Sequence, residues 1–404
     1  MKIRVVDYQA NPGGGVRFTT ELVRSLQDFA PEHRFELVSH GQALRVYAGI
    51  FRREGLEVPV RGIAPRAYWR AVPATRRLRI PGLERVKRFL GFARWYYDVP
   101  ESVLRDCDVA WFPWLHRHRL PKGDRQSIVG SFHDAIVFIW PGLVAKSQLR
   151  DERATVEGWM ASSAKIVVSS NATLGVLADA LHIRPTRFTL VRVGWTHVKP
   201  PDPAGVQPHW PWLRGRYLLC PANTSSHKNH EVLFTAMGRW RGGVPLVLTG
   251  YGSNLPPGEA RARSLRSAAE AAGLHIGTSI IPLGLVADDT YDLLLAGAWA
   301  VVMPTRLEGG GSFPVMEAVL SGIPVLCADI PVLREQMEQV GGRVLWFDPA
   351  DPAQLASRLE ELDRHYDEWR SLARDQVGRL RIRTWRQAAE EYMRVLTAAA
   401  DGNK

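Results

Sequence analysis

Short apolar and β-branched runs alternate along the chain with longer stretches in which apolar residues recur every three to four positions. The first pattern predicts buried strands and the second predicts helices that bury one face. In the first half, residues 2–8, 35–39, 109–114, 128–133, 165–169 and 188–193 read as strands. Residues 16–29 read as a helix with Phe18, Leu22, Val23 and Leu26 on one face, and residues 171–181 as another. Periodicity then stops at Lys199-Pro-Pro-Asp-Pro, Pro208 and Pro211, which places a linker at 196–214.

After the linker the pattern restarts. Strands are predicted at 217–221, 246–249, 279–283, 300–304 and 324–328, with helices at 230–240, 260–272, 290–296 and 314–321. Residues 385–399 form a last amphipathic helix. Strands alternating with helices imply parallel sheets with helical crossovers. The fold class expected is therefore α/β, with two Rossmann-like parallel-sheet domains facing a cleft. Ligands of such sheets bind at the carboxyl ends of the strands. The domains expected are 1–195 and 215–380, followed by 381–404 as a helix packing back on the first domain.

Composition narrows this little. The 404 residues exceed one ordinary domain, and 46% hydrophobic with 23% charged residues excludes a largely disordered chain. No apolar run reaches the length of about 18 residues a membrane-spanning helix needs. The apolar start stops at Asp7, so it reads as a first strand and not a signal peptide. Cys107, Cys220 and Cys327 are scattered and odd in number, which fits a reducing cytoplasm better than a disulfide framework.

Charge adds a sharper feature. The net charge of +11 arises in the first half: residues 1–200 carry 31 Lys and Arg against 18 Asp and Glu. Residues 61–98 hold ten basic residues, among them Arg76, Arg77, Arg79, Lys87 and Arg88, with Trp69, Phe92 and Trp95 interleaved. Basic and aromatic residues together suit an anionic membrane surface or an acidic partner. The same composition also suits a solvated Arg-rich face with its aromatics turned inward. No nucleic-acid-binding signature accompanies it.

The densest chemistry lies at 303–325. A strand ends, Glu308-Gly309-Gly310-Gly311-Ser312-Phe313 turns, and a helix begins near Pro314 with Glu317 about one turn in. Free backbone N–H groups at such a turn can hold a phosphate. Glu317 would then reach a ribose diol, and Glu308 the sugar beyond the phosphate. Lys228, on a polar loop, is a mobile ammonium suited to a leaving diphosphate. Gly14 and Gly15 would admit a phosphate or acceptor close to the backbone.

These residues resemble the glutamate-spaced donor motif of retaining GT-B glycosyltransferases of the family 4 type (glycosyl transferases group 1). Other segments agree in order. Gly13-Gly14-Gly15 with Phe18 and Glu21-Leu22 resembles the family's first loop, and His133-Asp134 its "HD" turn. Pro221 to Asn229 resembles its basic loop, and Gly250-Tyr251-Gly252 and Pro282-Leu283-Gly284 its later donor-side loops. Two departures stand out. Eight residues, not seven, separate Glu308 from Glu317, and Asn223 occupies the place of a usual Arg.

The resemblance implies a metal-independent hexosyltransferase with no resident cofactor. Its donor would be a GDP- or UDP-linked mannose, glucose or related sugar, and the basic, aromatic segment suggests an acceptor at the membrane, a glycan or lipid-linked glycan of bacterial envelope polysaccharide synthesis. His133 would contact the donor sugar. Lys228, Glu308 and His133 are the catalytic candidates. Glu317, Gly309, Gly310, Gly311, Ser312, Phe313, Asn223, Gly250 and Leu283 would bind the donor. The expected location is cytoplasmic, peripheral on the inner face of the membrane. A small-molecule glycosyltransferase, a hydrolysing sugar-nucleotide epimerase and a non-catalytic nucleotide-sugar-binding protein remain open.

Other patterns carry less. Asp106-Cys107-Asp108 is formally a DxD but precedes a strand, the wrong end for a ligand. His116 and His118, like His227 and His230, lack carboxylate or thiolate companions at metal-ligand spacing. No P-loop or nucleophile elbow is present.

Overall fold

The computed structural model describes residues 1–9, 13–63, 97–98, 100–115, 118–120, 127–143, 146–162, 164–196, 215–240 and 242–402. They form two compact units, Met1–Gly194 with Arg383–Lys404, and Trp195–Ile382. Most of the expected linker lies outside the described residues, as do Arg76, Arg77, Arg79, Lys87 and Arg88 of the basic segment. Among the described residues, no helix is long and apolar enough to cross a membrane.

The strands of the first unit are β1 (Lys2–Val6), β2 (Arg34–Ser39), β3 (Val60–Gly62), β4 (Tyr97–Asp98), β5 (Val109–Phe112), β6 (His118–Arg119), β7 (Ile128–Phe132), β8 (Lys165–Val168) and β9 (Phe188–Leu190). Seven of them form one sheet in the order β3-β2-β1-β5-β7-β8-β9, while β4 pairs with β6 alone. Every pairing in the sheet is parallel. The second unit has β10 (Leu218–Pro221), β11 (Leu246–Thr249), β12 (Ile280–Gly284), β13 (Ala300–Met303), β14 (Val325–Ala328) and β15 (Leu345–Phe347). Their order is β12-β11-β10-β13-β14-β15, again all parallel. Both units are thus the Rossmann-like sheets that the alternating pattern predicts.

Burial explains why these runs are strands. All four residues of β5, β11, β13 and β14 are buried, as a parallel sheet covered on both faces requires. β2 ends at Ser39 as predicted, whereas β1, β5, β7, β8 and β9 end one to three residues before the predicted strands do: Asp7, Tyr8, His133 and Ser169 are buried but lie beyond the last paired residues. The helix at Gly14–Phe29 starts two residues earlier than predicted, with the Arg17 N–H bonded to the Gly13 carbonyl at 3.0 Å.

The last helix, Trp385–Asp401, belongs to the first unit. Thr384 and Gln387 close its start as a reciprocal capping box. Its Tyr392 hydroxyl meets Ser131 Oγ at 3.0 Å, and the Trp111 indole N–H donates to the same oxygen at 2.9 Å. Phe18 packs against both Trp385 and Tyr392. Gly194 permits the approach: a Cβ there would stand 2.4 Å from the Trp385 Cα.

Candidate functional site

The second sheet reverses direction between β10 and β13. The chain runs outward through β11 and β12, then returns to lay β13 on the other side of β10. At such a switch point the loops leaving the two central strands diverge and open a crevice at their carboxyl ends. Lys228 follows β10 and Glu308 follows β13. The fold therefore delivers the two residues to one place, although 80 positions separate them.

There they touch. Lys228 Nζ donates to Glu308 Oε1 at 2.6 Å, with the side chains 14% and 9% exposed. The loops beneath them are joined by further bonds. The Arg306 N–H donates to the His227 carbonyl at 2.7 Å, and the Thr305 hydroxyl to the same oxygen at 3.2 Å. Asn229, held in the left-handed region at φ 59°, donates from its amide to the carbonyls of Pro304 and Pro349 at 2.9 and 2.8 Å. Its side-chain oxygen accepts from Arg306 Nε at 3.0 Å. The pair thus sits on a cross-braced base. Burial, aided by the Lys228 charge, lowers the His227 pKa to about 3, so that ring stays neutral beside the ammonium.

The glycine turn is held from the side by Gln336, on the helix Pro331–Val340. Gln336 accepts from the Ser312 N–H at 2.9 Å and donates to the Ser312 carbonyl at 3.1 Å. Gly311 lies at φ 119°, and a Cβ on it would come within 3.1 Å of the same side chain. Ser312 offers no free N–H to a phosphate in this conformation, because that donor is already engaged. Phe313, at the helix start, packs edge-on against Trp195 at 5.2 Å between ring centroids. Gly309 and Gly310 are half-buried on the turn between Glu308 and this clamp.

Glu317 is buried to 6% exposure within the helix Phe313–Leu320. It neither caps that helix nor faces solvent. Instead, Tyr291, on the helix Asp288–Gly297, donates its hydroxyl to Oε2 at 2.8 Å.

Asn223 lies on the β10 loop, where its side chain accepts from the Ser225 N–H at 3.0 Å. Gly250, at φ 120°, presses on that loop: a Cβ would meet the Ala222 carbonyl carbon at 2.9 Å. The Gly250 N–H also donates to the Gly284 carbonyl at 2.8 Å, which ties the ends of β11 and β12 together beside Leu283. A guanidinium does reach the Asn223 loop, from Arg261. It is engaged with the Thr224 carbonyl at 2.7 Å and with both oxygens of Glu231.

In the first unit, Gly14 and Gly15 form the opening turn of the first helix, with Gly15 close against the Gln9 side chain. His133 follows β7, is 3% exposed, and packs on Phe18 at 4.2 Å and Trp114 at 5.1 Å. Neither ring nitrogen has a hydrogen-bond partner among the described residues. Burial lowers its pKa to about 3, which keeps the ring neutral at physiological pH.

Asp108 anchors the strand start, accepting from the Lys2 N–H at 2.6 Å while its own N–H reaches the Lys2 carbonyl at 2.9 Å. The formal DxD is therefore part of the β1–β5 pairing at the amino edge. Among the described residues, no group of three His, Cys, Asp or Glu side chains could hold a metal ion. Tyr291 and Gln336 escaped the sequence reading, since each lies inside an ordinary helix and acts through contacts 26 and 24 positions away.

Residues 215–365 match the family described as Glycosyl transferases group 1. A 91-residue stretch is 33% identical to O-antigen chain mannosyltransferase B of Escherichia coli, spanning 22% of this chain and 23% of that protein's length. Among solved structures, Anabaena HepE in complex with UDP and glucose superposes with a TM-score of 0.71 at 15% identity, covering 98% of this chain and 100% of that one. WaaG, a glycosyltransferase involved in lipopolysaccharide biosynthesis, gives a TM-score of 0.66 at 13% identity, covering 98% and 99%. The fold is GT-B.

Proposed function

We propose, from the match of residues 215–365 to the glycosyl transferases group 1 family, that this chain transfers a hexose from a nucleoside diphosphate sugar to a glycan or lipid-linked acceptor. The observation that carries the reading is the meeting of Lys228 and Glu308 at the switch point of the second sheet, with the glycine turn following Glu308 directly.

In this reading the nucleotide lies at the carboxyl edge of the second sheet. Glu317, steadied by Tyr291, accepts from the ribose diol. Lys228 neutralises the diphosphate as negative charge builds on the leaving oxygen, a preorganised electrostatic role. Glu308 accepts from sugar hydroxyls. No carboxylate is assigned as a nucleophile. The departing phosphate oxygen takes the acceptor's proton on the face it leaves, so the anomeric configuration is retained. Positioning and charge stabilisation carry the rate.

The mannosyltransferase likeness favours mannose, and the UDP complexes of HepE favour a uridine donor, so the donors to test are GDP-mannose and UDP-glucose. The likeness to WaaG and to the O-antigen enzyme favours an envelope polysaccharide acceptor. The basic segment around Arg76, Arg77 and Arg79 supports work at an anionic membrane surface on the cytoplasmic side.

The test is turnover of both donors with and without a lipid-linked acceptor, followed by product analysis. Lys228→Ala and Glu317→Ala should each lose about 2–4 kcal/mol of transition-state stabilisation, roughly 30- to 1000-fold in rate. Wild-type turnover in either variant would sink the assignment. Release of sugar without acceptor would favour the hydrolysing epimerase.

A further inference from the structure

The site satisfies its phosphate-binding cation from within, and it does so with the carboxylate assigned to the sugar. Lys228 and Glu308 are joined at 2.6 Å, both mostly out of water. Their loops cannot separate cheaply, because four hydrogen bonds tie residues 227 and 229 to residues 304–306. Exchange of partners must come from rotation of the two side chains.

We propose that the ion pair with Glu308 screens Lys228 and so makes the site prefer an intact sugar donor over its nucleoside diphosphate product. The proposal rests on the glycosyltransferase reading above. A diphosphate that takes Lys228 must displace Glu308. The freed carboxylate is then buried, without its cation, next to an anion, which is costly. A bare nucleoside diphosphate offers Glu308 nothing in return. A nucleotide sugar brings hydroxyl donors that bond the freed carboxylate. The sugar thus offsets the cost of unpairing Lys228, and its departure restores it. After transfer, Glu308 competes again for the ammonium and favours product release.

Titration calorimetry tests this on the full chain with five probes: inorganic pyrophosphate, UDP, GDP, UDP-glucose and GDP-mannose. Glu308→Gln keeps the shape and removes the charge, and Glu308→Ala guards against a specific effect of the amide. Either variant should bind pyrophosphate and the cognate diphosphate about tenfold tighter than wild type, ~1.4 kcal/mol. The cognate sugar donor should bind no tighter. Lys228→Met should weaken all of them, and adding Glu308→Gln to it should then give no gain. Circular dichroism melts confirm that each variant is folded.

Pyrophosphate and diphosphate affinities that stay at wild-type values in both Glu308 variants would overturn the screening. Equal tightening of diphosphate and donor would overturn the discrimination. Tightening of pyrophosphate in a protein whose wild type binds no nucleotide or sugar nucleotide would reject the glycosyltransferase reading, and the discrimination with it.

Discussion

Tyr291 and Glu317 meet between two helices, the phenol O–H donating to Oε2 at 2.8 Å against a carboxylate that is 6% exposed. The bond fixes the orientation of a buried acid. Tyr291→Phe keeps the packing and removes the donor. Loss of a charge-assisted hydrogen bond is worth about 1.5–3 kcal/mol. The nucleotide dissociation constant should therefore rise roughly 10- to 150-fold by calorimetry, with unchanged kcat at saturating donor. Wild-type affinity would show that Glu317 needs no such support.

Gln336 grips both polar atoms of the Ser312 backbone. Gln336→Ala leaves the buried Ser312 N–H unpaired, while the Ser312 carbonyl keeps the Met316 N–H at 3.2 Å, and should cost about 1–3 kcal/mol of stability unless water replaces the bond. Gln336→Glu retains the acceptor and loses the donor, so it should fall between alanine and wild type. Urea denaturation orders the three. Donor KM should rise in the same order, since the glycine turn adjoins Glu308.

Two buried histidines, His133 and His230, and the half-buried His227 set the acid response. His133 and His227 titrate at about 3 and His230 at about 4, in each case chiefly through burial. In the unfolded chain such rings take up a proton near pH 6.5. Below that pH the unfolded state binds more protons, so stability falls as pH drops from about 6.5 towards 3. His133→Asn should reduce the slope of unfolding free energy against pH by up to about one proton in this window. A slope equal to that of wild type would mean that the ring is not neutral in the folded state.

Gly194 faces the backbone of Trp385 at a distance no side chain fits. Gly194→Ala must push the last helix off its seat. Overpacking of this kind costs about 1–3 kcal/mol. Thermal unfolding should show the loss, while Gly175→Ala, with open space around it, should be neutral or stabilising.

Neutralising Arg76, Arg77 and Arg79 together tests the membrane proposal. Each basic residue near an anionic surface contributes about 1 kcal/mol, so the triple glutamine variant should bind phosphatidylserine vesicles roughly a hundredfold more weakly. Binding equal to wild type in co-sedimentation would remove the membrane from the reading.

The central strands were legible in the sequence because parallel strands covered on both faces are nearly continuous apolar runs, as in Val109–Phe112 and Ala300–Met303. The helix Lys146–Ala161 was not legible. It buries Glu152 and Thr155 along with Val156 and Trp159, so its inward face lacks an apolar period. At the candidate site, Glu308, Glu317 and Lys228 stood out because they share a short motif or a loop. The ion pair between Lys228 and Glu308 did not. Its existence depends on β13 returning beside β10, a fact of topology that no local stretch encodes. The clamp of Gln336 on Ser312 and the prop of Tyr291 under Glu317 depend likewise on how distant helices dock.

The first unit is assembled from both ends of the chain. Phe18 and Trp111 receive their cover of Trp385 and Tyr392 from the last helix. On the ribosome, that apolar seat is made early and stays bare while the whole second unit is synthesised. The half that is translated first is therefore finished last, and a nascent chain must keep this surface from sticking until the final turns emerge. A premature stop anywhere in the last helix then damages two things at once: the cap it deletes and a sheet encoded hundreds of codons upstream.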